Sequence, residues 1–377
     1  MFTFVFIFLI MVCKRYFPPE QWSVFQQQIE SQIQLQTIGY SVLGVPLSAV
    51  TLGFGPKRIL MWSQMHGNET TTTKALVDFI TWFLAPAQGD LQHKLTLCIV
   101  PQLNPDGAKV YTRFNANGID LNRDAVVLSQ PESIALRGLF DSFAPDYCLN
   151  LHDQRSIYAA GVNGPAASVS FLAPSADENR SITPARKIAI QHIVALVKEL
   201  KPRIPYGIGR FDDTFNENCV GDTFSRLGVP TILFEAGHVP EDYQREVTRE
   251  YIVEAYKIVC RNILKEPLSY SIEAYFDIPE NTVEFVDVLV SGARIKNKNQ
   301  IIENQFLALQ YEERLKENTI HFVPKMHSFG SSPIQRAHRT IPLASALSEF
   351  VFEFKAEKLL NRQEFDVLFP ENQYFIE

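Results

Sequence analysis

Between about Tyr16 and Lys265 the chain repeats one pattern, a short apolar run with strand character followed by a longer stretch with apolar residues at helical spacing. The strand-like runs are Arg58–Met65, Leu95–Val100, Asp146–Leu151 and Pro230–Phe234, and the helical stretches are Lys74–Ala85, Ser133–Phe143, Pro184–Leu200 and Glu241–Leu264. Strands separated by helices do not pair as tight hairpins. They return side by side to one sheet. The expected fold is therefore α/β, a mixed, mostly parallel twisted sheet flanked by helices on both faces. Past Pro267 the pattern stops, and Thr282–Val290 alternates like a half-buried strand. Residues 16–267 are expected to form one large domain, and residues 268–377 a small, β-leaning C-terminal module.

Composition narrows the class. The chain has 377 residues, 46% of them hydrophobic and 12% aromatic, which is enough apolar material for a packed core. A formal charge of −7 gives no basic footprint for nucleic acid, so no nucleic-acid partner is expected. The apolar run from Met1 to Cys13 falls short of the roughly 20 residues a bilayer span needs, and its basic pair, Lys14 and Arg15, follows it instead of preceding it. It is read as an upstream extension or a docked strand, with no stable membrane span. The five cysteines are scattered and odd in number. Cys98, Cys148 and Cys260 lie in apolar runs and read as small core residues, which favours a reducing, cytoplasmic location.

Three strand ends carry the chemistry. His66-Gly67-Asn68-Glu69 follows the run ending at Met65, and a His and a Glu separated by two residues on a tight turn can bring an imidazole and a carboxylate to one point. His152 ends the run DYCLNL, and Glu235 ends PTILF. Open α/β sheets place their sites at the carboxyl ends of strands. Two imidazoles and one carboxylate suit a catalytic zinc with a position left for water. A carboxylate at the end of a buried apolar strand is costly to desolvate unless it has a partner or a task, and the task here is that of general base. Between the first two clusters, Arg113 and the pair Asn122-Arg123 offer guanidinium forks and an amide suited to a carboxylate and an oxyanion.

In these motifs the sequence resembles the zinc carboxypeptidase family. The matching pieces are HGNE (66–69), NPDG (104–107), TRFNANGIDLNR (112–123), NLHDQ (150–154) and TILFEAGH (231–238), in the family's order. The resemblance implies a catalytic domain over 16–267 that hydrolyses the C-terminal peptide bond, or a peptide-like amide bond, of a substrate with a free terminal carboxylate. It implies one zinc per chain on His66, Glu69 and His152, with Glu235 as the catalytic base. It further implies Arg113 polarising the scissile carbonyl, Asn122 and Arg123 holding the carboxylate, and Asp120 accepting the free ring N–H of His66. The stretch 209–224 lacks the mobile Tyr of digestive-type members, which leaves Phe211 or Phe215 to close the pocket. The pocket for the released side chain is expected to draw on Asn218–Phe224. The rival reading is a zinc N-acyl amino acid deacylase, related to succinylglutamate desuccinylase and aspartoacylase, which shares HGNE and a DLNR-like segment. A non-catalytic zinc-binding relative is a third reading. NPDG and NANG together with LFEAGH favour the peptidase. Neither the leaving residue nor the role of the last hundred residues is legible.

Overall fold

The structure, a computed structural model, describes residues 15–343, 347 and 349–370. The apolar run before Arg15 lies outside the described residues. The chain divides into two compact units, 1–154 with 167–281, and 155–166 with 282–377. The boundary thus falls between Asn281 and Thr282, and a twelve-residue segment in the middle of the chain joins the second unit, a partition that no single cut in sequence expresses.

In the first unit, β1 (Gln34–Tyr40), β2 (Pro46–Leu52), β3 (Lys57–Ser63), β4 (Leu95–Val100), β5 (Tyr147–Asp153), β7 (Ala167–Leu172), β8 (Gly207–Arg210) and β9 (Thr231–Ala236) form an eight-stranded sheet. Its order is β1-β2-β4-β3-β5-β9-β7-β8. The central strands β4, β3, β5 and β9 are parallel, and antiparallel pairings appear at β1–β2, β2–β4 and β7–β9. The mixed sheet expected from the alternation is present.

Both faces are covered because β5 and β9 are buried at every residue. One face carries Ile59, Met61, Leu149, Leu151, Ile232, Phe234 and Phe171. It packs on helices α2 (Thr71–Leu84), α6 (Pro184–Leu200) and α8 (Glu246–Ile263) through Phe79, Ile193, Leu196, Tyr256 and Val259. The other face carries Leu60, Trp62 and Cys148 under α5 (Pro131–Phe143) and α7 (Val220–Arg226), with Leu136, Phe140, Val220 and Phe224 in contact. The remaining helices of this unit are α1 (Pro19–Ile29), α3 (Gly89–Lys94), α4 (Pro105–Val110) and α9 (Glu273–Phe276).

Helix starts follow their caps. Pro184 opens α6 behind Thr183, whose hydroxyl accepts from Arg186 N at 3.2 Å. The last long helix begins at Glu246 and not at Glu241, because Asp242 accepts from the amides of Glu246 and Val247 and so fixes the first turn there. The NPDG stretch opens α4, with the Asn104 side chain accepting from Gly107 N at 2.8 Å. Cys98, Cys148 and Cys260 are buried and free, as expected. Among the described residues no helix is long and apolar enough to cross a membrane.

The second unit is β-rich. Strands β11 (Phe285–Asn297), β12 (Gln300–Lys316) and β13 (Thr319–Gly330) form an antiparallel meander, and β14 (Arg336–Pro342) and β15 (Val351–Glu353) pair parallel to β11. Short β6 (Tyr158–Ala160) pairs with β10 (Asn281–Val283). Its core is Val288, Val290, Ile295, Leu307, Leu309, Met326 and Phe352 against Phe365 and Leu368 of α10 (Arg362–Leu368). A capping box between Asn361 and Glu364 starts that helix.

Candidate metal centre

β3 ends at Ser63, and the chain turns through Gln64 in the left-handed region (φ 49°), a conformation uncommon for a side chain of this type. The Gln64 amide is buried and held in place, donating to Gly67 O at 2.9 Å and accepting from Gln102 Nε2 at 3.0 Å. Gly67 must be glycine, since a Cβ there would fall 2.0 Å from the backbone carbon of Gly107. The NPDG segment is therefore the surface on which the HGNE turn rests.

On that turn His66 and Glu69 meet His152 from the end of β5. His66 Nδ1 lies 2.7 Å from Glu69 Oε1, His152 Nδ1 lies 2.8 Å from Glu69 Oε2, and the two Nδ1 atoms are 3.2 Å apart. One ligand atom from each of these buried residues lies within 4.8 Å of the others. The opposite nitrogen of His66, Nε2, sits 3.0 Å from Asp120 Oδ1, which fixes that ring with its Nδ1 lone pair facing inward. Two inward imidazole nitrogens and a carboxylate make a donor set that fits a zinc-type cation.

The electrostatics match such a cluster. Burial pushes the Glu69 carboxyl up, but His66 and His152 outweigh it and hold it well below its usual value. Burial lowers His66, and the Glu69 and Asp120 carboxylates more than reverse this, so its pKa is raised. For His152 burial dominates and Glu69 only partly compensates, so its pKa is lowered.

Asp120 joins the ligand turn to the arginines. Its Oδ1 also accepts from Asn122 N at 2.9 Å, and its Oδ2 accepts from Arg113 Nε and Nη2 at 3.0 and 2.9 Å. Burial opposes its charge, yet His66 and Arg113 hold it far below the ordinary carboxylate range. Arg113 is half-exposed, with Nη1 3.6 Å from Glu69 Oε1. Asn122 is buried and accepts from Val220 N at 3.0 Å, which leaves its NH₂ as the free end of the amide. Arg123 donates to Asn122 O at 2.7 Å and to Cys219 Sγ at 3.0 Å.

Glu235 is the register partner of His152 across parallel β5 and β9, so the two side chains leave the same face side by side. It is buried, and its Oε2 has no hydrogen-bond partner among the described residues. Burial first, then the charges of Glu69 and Asp153, raise its pKa well above the usual value. The structure thus brings His66, Glu69, His152, Asp120 and Arg113 into one contact network, sets Glu235 on the adjacent strand, and puts Asn122 and Arg123 on the turn after Asp120.

Two residues escaped the sequence reading. Asp153 follows His152 and faces the other way, where its carboxylate accepts from Thr71 N and Thr71 Oγ1 at 3.0 and 2.6 Å and from Thr72 N at 3.2 Å. Arg15 Nη1 bonds the same carboxylate at 2.9 Å, with both side chains buried. The backbone amide of Asp153 donates to the ligand Glu69 at 3.2 Å. Asp153 therefore caps α2 from β5 while its backbone amide holds the candidate ligand Glu69. A partner 138 positions away leaves no local signal.

The first unit is thus a mixed α/β sheet with an imidazole–carboxylate cluster at its strand ends that could hold a metal ion. The comparisons with known proteins narrow the reading. Residues 20–156 match the family described as Zinc carboxypeptidase. "Probable carboxypeptidase 2" of Trichophyton verrucosum is 26% identical over 122 residues, covering 31% of this chain and 23% of that protein. "Gamma-D-glutamyl-L-diamino acid endopeptidase 1" of Lysinibacillus sphaericus is 27% identical over 186 residues, covering 33% of this chain and 47% of that protein. The chain thus spans less than half the length of these curated relatives. Among solved structures, the metallo-carboxypeptidase from Burkholderia cenocepacia aligns with a TM-score of 0.54 at 18% identity, over 67% of this chain and 70% of that one. Carboxypeptidase A from Helicoverpa armigera aligns with a TM-score of 0.54 at 15% identity, over 67% and 74%. These likenesses show the fold.

Proposed function

We propose that the first unit is a single-zinc metallocarboxypeptidase that removes the last residue from a peptide or peptide-like chain. The observation that carries this is the meeting of His66, Glu69 and His152 at the ends of β3 and β5, with Glu235 in register beside His152. A zinc held by those three residues supplies Lewis acidity toward a water and a carbonyl oxygen.

The chain's own groups do the rest. Asn122 and Arg123 hold the substrate's terminal carboxylate, the guanidinium through paired N–H bonds and the amide through its NH₂. Arg113 donates to the scissile carbonyl oxygen as negative charge gathers there. Glu235 takes a proton from the attacking water and returns it to the departing nitrogen, leaving a free amine and a new carboxylate.

The test is release of the C-terminal residue from N-blocked dipeptides, run with zinc and with a chelator. Turnover that stops on chelation and returns with zinc is the expected result. Release of acyl groups from acetyl- or succinyl-amino acids, with no peptide cleavage, overturns the reading in favour of a deacylase.

A further inference from the structure

Several of the buried polar atoms that lack partners among the described residues lie on the site-bearing face of the sheet. Glu235 Oε2 and His152 Nε2 belong to the metal centre. Trp62 Nε1 and both amide atoms of Asn150 do not, yet they also lack partners among the described residues. Trp62 is fully buried and Asn150 is 1% exposed. A buried polar group left unpaired is costly. An asparagine in the strand sequence Tyr-Cys-Leu-Asn-Leu-His therefore needs something to bond.

Their placement says what. Asn150 is the register partner of Trp62 on β3 and of Leu233 on β9. It stands two residues before His152, on the same face by strand alternation and roughly 6–7 Å further down the strand. The first turn of α7 connects it to the residues assigned to the terminal carboxylate. Val220 N bonds Asn122, Cys219 Sγ bonds Arg123, and an ideal Cβ on Gly221 would lie 3.6 Å from Asn150 Nδ2. A residue with its carboxylate on Asn122 and Arg123 and its amide bond at the metal centre sends its side chain toward this turn and this strand face.

We infer that Asn150 and Trp62 select a leaving residue with a carboxamide side chain, glutamine or asparagine. This inference rests on the carboxypeptidase reading above. The unpaired atoms are one indole N–H, one amide NH₂ and one amide oxygen, so they call for a group that accepts and donates at once. A carboxamide does both. A carboxylate leaves the Asn150 oxygen facing another acceptor, and an ammonium group opposes the indole N–H. The side chains beside Asn150 on this face, Cys148, Trp62 and Leu233, carry no charge to offset either ion. An aliphatic side chain leaves all three atoms unpaired.

The experiment uses the full chain with zinc and N-blocked dipeptides ending in Gln, Asn, Leu, Phe, Lys and Glu. Gln or Asn is expected to exceed Leu in kcat/KM by about tenfold or more, the worth of one or two net hydrogen bonds. In Asn150→Leu the Gln-to-Leu ratio in kcat/KM is expected to fall at least tenfold. Asn150→Ser, a smaller change, keeps the test sound if the leucine variant fails to fold, and it should lower the same ratio. Turnover without a carboxamide preference overturns this inference alone and means that ordered water satisfies the pair. Inactivity across the panel overturns the carboxypeptidase reading, and this inference with it.

Discussion

Phe234 and Glu235 are neighbours on β9 and face opposite sides of the same sheet. Phe234 is fully buried among Phe171 and Tyr256, with ring centroids at 5.3 and 5.4 Å, on a face packed mainly with apolar residues and interrupted by Asp153 at the end of β5. Glu235 is nearly as buried, on a face that holds imidazoles, carboxylates and an asparagine. One face contributes to the stability of the sheet. The other gives up part of that contribution to hold groups that are costly to bury. The difference teaches that strand alternation separates folding from chemistry at single-residue resolution.

The sharpest way to break this contrast is to mutate across it. Glu235→Gln is expected to lower kcat by about a thousandfold or more while zinc content, measured by metal analysis, and unfolding midpoint stay close to the parent. Phe234→Ala is expected to cost about 3–5 kcal/mol in urea unfolding while kcat per folded molecule changes little. Crossed results, a stable but inactive alanine variant or an unstable but active glutamine variant, would erase the division between the faces.

A smaller effect is expected at the junction of the two roles. Asp153 caps α2 and touches Glu69 through its amide, and Arg15 balances its charge. Arg15→Met and Asp153→Asn should weaken zinc binding about 10- to 100-fold in competition with a fluorescent chelator. A fall in melting temperature with unchanged zinc affinity would assign the pair to the helix alone.

The smallest concerns Asp222, buried on α7 with its carboxylate accepting from Asn216 N at 2.8 Å. Burial raises its pKa from 3.8 to about 6. Between these values the folded chain keeps a proton that the unfolded chain gives up, so this group's contribution to stability grows as pH falls from 7 toward 4. Asp222→Asn should therefore be more stable than the parent by about 1–2 kcal/mol at pH 7, discounted for partial exposure, with the gap narrowing at pH 5. A gap independent of pH in urea titrations would show that the carboxylate is ionised without penalty.

The parts of this molecule legible in sequence were those with short-range signatures. The limits of α6 and β4 coincide with the sequence reading, because Thr183-Pro184 and the apolar run LTLCIV mark them locally. HGNE, His152 and Glu235 were legible because strand ends are predictable from apolar runs. The insertion of residues 155–166 into the second unit was not legible, since a pairing of distant segments leaves no periodic trace. The edge pair β1–β2 was missed for a related reason, as β1 is largely exposed and its residues carry little apolar signal. Asn150 looked like one polar residue in an apolar strand, and only its lack of a partner in three dimensions gives it meaning.

Asp120 has one oxygen on the ligand His66 and the other on Arg113. A single carboxylate shared in this way makes the two halves of the centre inseparable in evolutionary drift. A descendant that lost Asp120 would at once loosen an imidazole and release a cation, so intermediate forms with only one function impaired are closed to it.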